Sequence, residues 1–313
     1  MPYHHISVMP NEVINMLNCQ PGKIYVDGTL GGAGHAVLIL EKIHPGGRLI
    51  GIDQDMDAIQ NAIQVLNQEK QQVDLFHDNY INLKDILFQL KINAVDGILL
   101  DLGLSLNQLE NSGRGFSFMR DEPLDMRMNV KSKITAEDIV NRYEEKSLAS
   151  LFWEKGDERY ARPIAKKIVL KRKKERISSS KQLADMICEV VPPQKKQDKK
   201  RIHPATKVFM ALRIEVNQEL DVLEGFLETA VDLLSPKGRL CILSFHSLED
   251  RIVKHTFRSM DKGCVCPSDF PQCVCGKKKK VNVVTRKAQK PSELEKMVNP
   301  MSRSTRLRAV EKI

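Results

Sequence analysis

Lys23-Ile24-Tyr25-Val26-Asp27-Gly28-Thr29-Leu30-Gly31-Gly32-Ala33-Gly34-His35 is the stretch on which the fold turns. Ile24 to Val26 is a short β-rich run, a loop with four glycines follows, and Ala36 to Ile43 has a helical pattern. Strand, glycine loop and helix open a nucleotide-type α/β site, because residues without a Cβ let the backbone take φ > 0 and approach a ligand. A second strand, Arg48-Leu49-Ile50-Gly51-Ile52-Asp53, ends in a carboxylate placed to accept hydrogen bonds from a ribose diol.

The loop departs from a dinucleotide fingerprint. It reads G-x-x-G-G-x-G, and Val37 stands where the last glycine of G-x-G-x-x-G belongs if Gly32 and Gly34 are the first two. Asp27 closes the first strand at the mouth of the loop. A carboxylate there suits a ligand with an ammonium and repels a pyrophosphate. S-adenosylmethionine has an ammonium, a sulfonium and a ribose but no phosphate, so it ranks ahead of NAD. A tight structural turn is the third reading, which the paired acid Asp53 disfavours.

Outward from this unit the alternation continues. Residues 11–20 and Met56 to Leu66 have helical periodicity, Val73 to His77 and Val95 to Asp101 read as strands, and Ile81 to Leu90 as a helix. Asp27, Asp53, Asp78 and Asp101 close four successive strands. Near-continuous apolar strands alternating with helices predict a doubly wound, Rossmann-like parallel sheet, with ligands beyond the carboxyl ends of the strands.

After Leu102 the character changes. Residues 102–130 are loop-like, Thr135 to Val191 is helical, and a lysine-rich link, expected to be mobile, runs from Pro192-Pro193 to Arg201. Val208 to Leu234 reads as one helix, and Pro236-Lys237-Gly238 turns into the strand Leu240 to Phe245. Ser247-Leu248-Glu249-Asp250 starts a further helix, and 281–286 and 305–310 are closing strands. The expected organisation is a sheet domain in two parts, 1–111 and 206–313, around an inserted helical substrate domain, 112–205. A Cys/Lys-rich loop spans 263–280.

The net charge is +9, distributed as −6 over 1–101, +10 over 102–214 and +5 over 215–313. Basic charge in the insert and the tail favours a polyanionic partner, RNA or DNA, over a solvated basic face. Lys166, Lys167, Lys171, Arg172, Lys173, Lys174 and Arg176 fall on one expected helix, with Ile164, Ile168 and Val169 as its buried stripe. No run of eighteen apolar residues or signal-peptide pattern occurs, and the seven cysteines carry no export signal, so a cytoplasmic chain with reduced thiols is expected.

Several groups could carry chemistry. Asp101 ends the fourth strand, where many amine methyltransferases keep Asp/Asn-Pro-Pro-aromatic; it either serves the ligand or caps a turn. His246, in Phe245-His246-Ser247, is a base or a hydrogen-bonded wall residue. One of Phe116, Phe118 and Phe245 is expected to stack on a base, the others to be core. Cys264-Val265-Cys266 and Cys273-Val274-Cys275 have the composition of a tetrathiolate zinc site, but the C-x-C spacing departs from C-x-x-C. No metal ligand is assigned. Cys19, Cys188 and Cys241 read as core.

Together these stretches resemble the bacterial 16S ribosomal RNA cytosine-N4 methyltransferases, the RsmH or MraW family. The resemblance rests on His5-Ile6-Ser7-Val8-Met9, Asp27 to His35, Asp53, Asp96 to Gly103, Arg114 to Arg120 and Leu124 to Met128. It continues through His203 to Lys207, Arg213, Asn217, Ser244 to Arg251 and Ser302 to Arg308. It implies a methyltransferase fold with an inserted helical domain and methylation of one cytidine N4 in the decoding region of 16S ribosomal RNA, within the small ribosomal subunit. It implies S-adenosylmethionine as cofactor, with contacts at Ala33, Gly34, His35, Asp53, Tyr80, Asp101 and Gln108. Tyr80 stands where Phe is common, and Ser105-Leu106 where Ser-Ser is common. No catalytic residue is assigned, no membrane partner is expected, and the oligomeric state is left open, a homodimer included. A nicotinamide-dependent enzyme and a non-catalytic RNA-binding assembly factor are the competing classes.

Overall fold

The computed structural model describes residues 7–66, 73–192, 202–264, 266–267, 270–272 and 274–313. His5 and Ile6, the lysine-rich link to Arg201, and Cys273 lie outside the described residues. The chain forms two compact units, Met1–Gly103 with Leu220–Ile313, and Leu104–Glu219. In chain order the elements begin α1 (Pro10–Leu17), β1 (Ile24–Asp27), α2 (Gly34–Ile43), β2 (Arg48–Asp53), α3 (Met56–Val65), β3 (Val73–His77), α4 (Leu83–Gln89) and β4 (Val95–Asp101). The helices α5 (Leu106–Glu110), α6 (Ala136–Arg142), α7 (Glu145–Glu154), α8 (Ala161–Arg172), α9 (Ser180–Val190), α10 (Thr206–Asn217) and α11 (Glu219–Leu233) follow. The chain closes with β5 (Leu234–Ser244), α12 (Ser247–Lys262), β6 (Val281–Val283), α13 (Glu293–Val298) and β7 (Arg306–Lys312).

The seven strands form one sheet in the order β3-β2-β1-β4-β5-β7-β6. The first five are parallel, β7 runs antiparallel to β5, and β6 antiparallel to β7. The expected parallel sheet therefore carries an antiparallel edge. Alternation along each strand explains why helices cover both faces. Ile50, Ile52, Ile98, Leu100, Leu240 and Ile242 share one core with α4, α11 and α12. Leu49, Leu99, Cys241 and Leu243 share the other with α1, α2 and α3. The turn expected at Pro236-Lys237-Gly238 lies within the span of β5, as an irregularity in its pairing with β4, with Lys237 at φ 65°.

The second unit has its own core, where Phe152, Ile164, Ile168, Leu183, Ile187 and Leu212 are buried together. The single helix expected over 208–234 is two helices, broken at Gln218 in the left-handed region. Arg213 spans that break to Glu219 with two bonds of 2.8 Å. Asn217 accepts from Met128 N–H at 2.8 Å and donates to Met126 O at 2.9 Å, so it fixes the loop Leu124 to Met128. Helix α8 ends at Arg172, so Lys173, Lys174 and Arg176 lie beyond it rather than on it. Among the described residues no helix is long and apolar enough to cross a membrane.

Candidate active site

The sheet order reverses between β1 and β4, the place where α/β sheets open a crevice beyond the strand ends. Asp27 and Asp101 end those two strands, and Asp53 ends β2 beside β1. The glycine loop packs directly on this edge. Gly28 donates to Leu99 O at 2.9 Å, and a Cβ on Gly28 would lie 2.5 Å from Leu100 Cδ2 and 3.2 Å from Tyr80 Cβ. Glycine is required there by packing rather than by φ. Positive φ falls on Gly31 and, unexpectedly, on Ala33, which precedes α2 at φ 62° with no side-chain cap. An alanine in that conformation costs about 1 kcal/mol, a cost the surrounding fold must carry.

The loop is tied to the acids by hydrogen bonds. Gly31 N–H donates to Asp53 Oδ2 at 2.9 Å and Asp55 N–H to Asp53 Oδ1 at 2.8 Å. Asp101 N–H donates to Thr29 Oγ1 at 2.6 Å, and Thr29 N–H to Asp27 Oδ1 at 3.2 Å. His35, at the start of α2, is buried. Its Nε2 lies 2.9 Å from Val8 O, and a carbonyl only accepts, so Nε2 carries the hydrogen. Its Nδ1 faces Asp101 Oδ2 at 3.5 Å.

The three carboxyls are electrostatically uncomfortable. Burial, with the charge of Asp53 adding to it, pushes Asp27 up to about 7. Burial pushes Asp53 up to about 6, against the backbone N–H groups that favour its charge. Burial, then the neighbouring charges of Asp27 and Glu249, holds Asp101 well above the carboxylate range. Asp101 Oδ1 is buried and accepts no hydrogen bond among the described residues. Such an acceptor, among carboxyls that repel one another, has the character of a cation or donor site.

The other expected residues divide. Tyr80 is buried in the same unit, its ring edge-on to Phe226 at 4.9 Å. Gln108 belongs to the second unit, where it and Ser105 complete a capping box on α5: Ser105 N–H donates to Gln108 Oε1 at 3.1 Å. The Ser105-Leu106 departure therefore leaves the turn capped. Asp78 accepts from Asn79 N–H and Asn82 Nδ2, both at 2.7 Å, and is a turn acid rather than a fourth site carboxylate. His246 is the cap of α12: its Nδ1 accepts from Glu249 N–H at 3.4 Å, which fits the wall reading rather than the base. Its Nε2 is 3.0 Å from Glu249 Oε1 but off the line of a hydrogen bond. Phe116 is core, and Phe118 already stacks on His203 at 4.4 Å. Phe245 packs against Gly103, where a Cβ would meet its ring at 3.2 Å.

Two positioning residues escaped the sequence reading. Thr29 holds the Asp101 backbone. Glu249 accepts from Phe245 N–H at 2.8 Å and His246 N–H at 3.2 Å, shaping the end of β5. Glu249 had a legible signal, a cap residue followed three positions later by an acid, but the frame opens at His246 and not at Ser247.

The MraW methylase family model matches residues 2–313. The ribosomal RNA small subunit methyltransferase H of Desulforapulum autotrophicum is 52% identical over 313 residues, covering 100% of both chains. That of Desulfosudis oleivorans is 50% identical with the same coverage, and that of Geotalea uraniireducens is 50% identical over 311 residues, 99% of each chain. Likeness of that extent, spanning both the sheet and the inserted helices, settles descent: the chain belongs to the MraW methylase family.

Proposed function

We propose that this protein transfers a methyl group from S-adenosylmethionine to the N4 amine of a cytidine in the decoding region of 16S ribosomal RNA, within the small ribosomal subunit in the cytoplasm. The observation that carries the reading is the trio of carboxyls at the ends of β1, β2 and β4, each raised by desolvation, one of them with a buried oxygen that accepts no hydrogen bond among the described residues. A ligand bearing an ammonium and a sulfonium offsets their mutual repulsion, whereas the pyrophosphate of a nicotinamide cofactor would add to it.

Asp53, with its two oxygens held by Gly31 and Asp55, is oriented to accept from the ribose hydroxyls. Asp27 and Asp101 face the cationic part. The N-terminus of α2, where Ala33 supplies no side-chain cap and Gly34 and His35 open the helix, suits the carboxylate end. Tyr80 contributes an aromatic wall. Gln108 belongs to the same proposed contact set. When bound, the cofactor supplies a methyl group already activated by a sulfonium. The chain's own task is alignment and a proton acceptor, because the cytosine N4 lone pair is delocalised into the ring. Asp101 can take a hydrogen bond from the amine and draw its lone pair out of conjugation, with His35 behind it at 3.5 Å. Residues 112–205 supply the RNA-binding surface in this reading.

The cysteines argue against the covalent route that C5 methylation of cytosine takes. Burial pushes the Cys241 thiol far up and raises Cys19 to about 12, and the solvent-facing Cys188 is raised by partial desolvation and the charge of Asp185. None has the electropositive setting of a nucleophilic thiolate. Labelled S-adenosylmethionine, given with small subunits or with naked 16S RNA, should yield N4-methylcytidine on nucleoside analysis. A C5-methyl product, or a trapped RNA–cysteine adduct, would overturn the mechanism.

A further inference from the structure

The connection from α12 to β6 is a closed excursion. A Cβ on Gly263 would lie 2.8 Å from the Lys279 backbone nitrogen, and Lys280 N–H donates to Met260 O at 3.0 Å. The two ends of the loop are thus pinned side by side. Beyond that neck, the described residues form no helix or strand and bury no hydrophobic side chain. Phe270 is 50% exposed and Val274 75%. A loop of this length without an apolar core needs another source of order.

Its thiols supply one. Cys264 leaves the neck, Cys275 returns towards it, and their sulfurs are 3.7 Å apart. The sulfurs of Cys264, Cys266 and Cys275 all lie within 4.8 Å of one another. Thiols are weak hydrogen-bonding partners, so three of them converging at a surface is not explained by their own attraction. A metal explains it. With metal–sulfur bonds of about 2.3 Å, neighbouring ligands of a tetrahedral centre sit about 3.8 Å apart. The donor set is all sulfur, which selects zinc over the hard oxygen-seeking cations. A thiolate centre is negative, and Lys277 and Lys278 follow it directly. Lys279 and Lys280 are already paired with Asp261 and Asp232.

We propose that Cys264, Cys266 and Cys275 hold a zinc ion as thiolates, a structural site separate in role from the methyl-transfer centre. Each thiol releases one proton to solvent as its metal–sulfur bond forms, and no oxidation is involved. The second C-x-C pair in the sequence also contains Cys273, which lies outside the described residues.

The test uses the full chain, purified under reducing conditions without chelator. Metal analysis should find about one zinc per chain. Cys264→Ser with Cys266→Ser should lose it, while Cys188→Ser keeps it. Cobalt added to the metal-free wild-type protein should give thiolate charge-transfer bands and the intense visible absorption of a tetrahedral site. The cobalt spectrum needs no variant to fold. A wild-type chain that carries no zinc and takes up none, a cobalt spectrum without thiolate bands, or iron with sulfide in place of zinc would each overturn the proposal.

Discussion

Charge is handled in opposite ways in two regions of the molecule. In the second unit, half-buried acids meet bases: Asp125 with Arg127 at 2.7 Å, Glu215 with Lys155 at 2.6 Å, Glu219 with Arg213 at 2.8 Å. Burial pushes Asp125 up, but the Arg127 guanidinium outweighs it and holds the carboxyl below its usual range. At the end of the sheet, no lysine or arginine pairs with Asp27, Asp53 or Asp101 among the described residues, and all three are raised. Paired acids fix the fold. Unpaired ones store repulsion that a cationic ligand relieves. The first unit holds its own control, Asp250, which is buried yet bonded to Arg306 at 2.6 Å and Arg308 at 2.7 Å.

The largest expected effect comes from breaking that control. Asp250→Ala leaves Arg308, itself only 8% exposed, without its partner. Loss of one member of a buried pair costs about 3–5 kcal/mol. Urea unfolding should show it, and a loss below about 1 kcal/mol would mean that the pair is a surface contact in effect. Asp101→Asn changes a similar group in the opposite setting. It should leave the stability of the cofactor-free protein unchanged or raised at about pH 8, while methyl transfer falls. If Asp101→Asn destabilised as Asp250→Ala does, the distinction between paired and unpaired acids would collapse.

Next comes the cofactor. Asp53→Ala removes a charged acceptor from the proposed ribose contact and should weaken S-adenosylmethionine by about 1.5–3 kcal/mol, measured by calorimetry. Unchanged affinity would remove Asp53 from the contact set. It would also leave the glycine loop's hold on Asp53 as a purely structural device.

Acidity sharpens the same comparison at about 1.4 kcal/mol per proton and pH unit. Folded Asp27 and Asp53 sit at about 7 and about 6, above the 3.8 of an ordinary aspartate. The folded chain therefore keeps protons that the unfolded chain has lost. Stability from these groups is present in full below the ordinary aspartate value and is lost as pH rises through 6 to 7. The cofactor-free protein should unfold more easily at about pH 8 than at about pH 5.5, as far as these two groups decide. A cationic ligand binds the ionised forms, so its affinity should rise over the same window. Affinity that is flat with pH would show that the ligand meets no titrating carboxyl.

The sheet half of this site was readable because it is written locally. Asp53 and Asp101 end their strands as periodicity places them, and the helices after the glycine loop and after Asp53 follow as expected. What stayed hidden depends on contacts distant in sequence. Nothing near Gln218 marks a break, since neither Gly nor Pro is there; the break is bridged by Arg213 and followed by packing of α11 on the sheet. Cys188 was taken for core from apolar neighbours, yet it faces solvent, because helix phase and not local composition decides burial. Phe118 was offered as a base-stacking ring, and His203 occupies its face. The pairing of β7 with β5 joins residues far apart in the chain, and no local pattern encodes it.

The smallest effect tests the basic surface of the second unit, and the structure changes which lysines to choose. Charge reversal across 171–174 would mix roles, because Lys171 pairs with Glu175 and Arg172 donates to Val140 O at 2.7 Å. Lys167 is likewise engaged, with Glu189 at 2.6 Å. Lys173 and Lys174 are exposed beyond the end of α8 and form no ion pair among the described residues. With Lys166, which is exposed on α8 and likewise in no ion pair among the described residues, they are the side chains of this set left to meet phosphate. Each phosphate contact with a single strand contributes about 0.7 to the slope of log affinity against log salt. Lys173→Ala with Lys174→Ala should therefore reduce the slope for RNA by about 1.4 if both make contacts, with cofactor affinity unchanged. Replacing Lys171 and Arg172 instead should act through the fold, lowering the unfolding midpoint as well as RNA affinity. An unaltered slope in the Lys173/Lys174 variant would make that end of α8 a solvated face, and the RNA contacts would have to be sought on the remaining basic side chains of the unit.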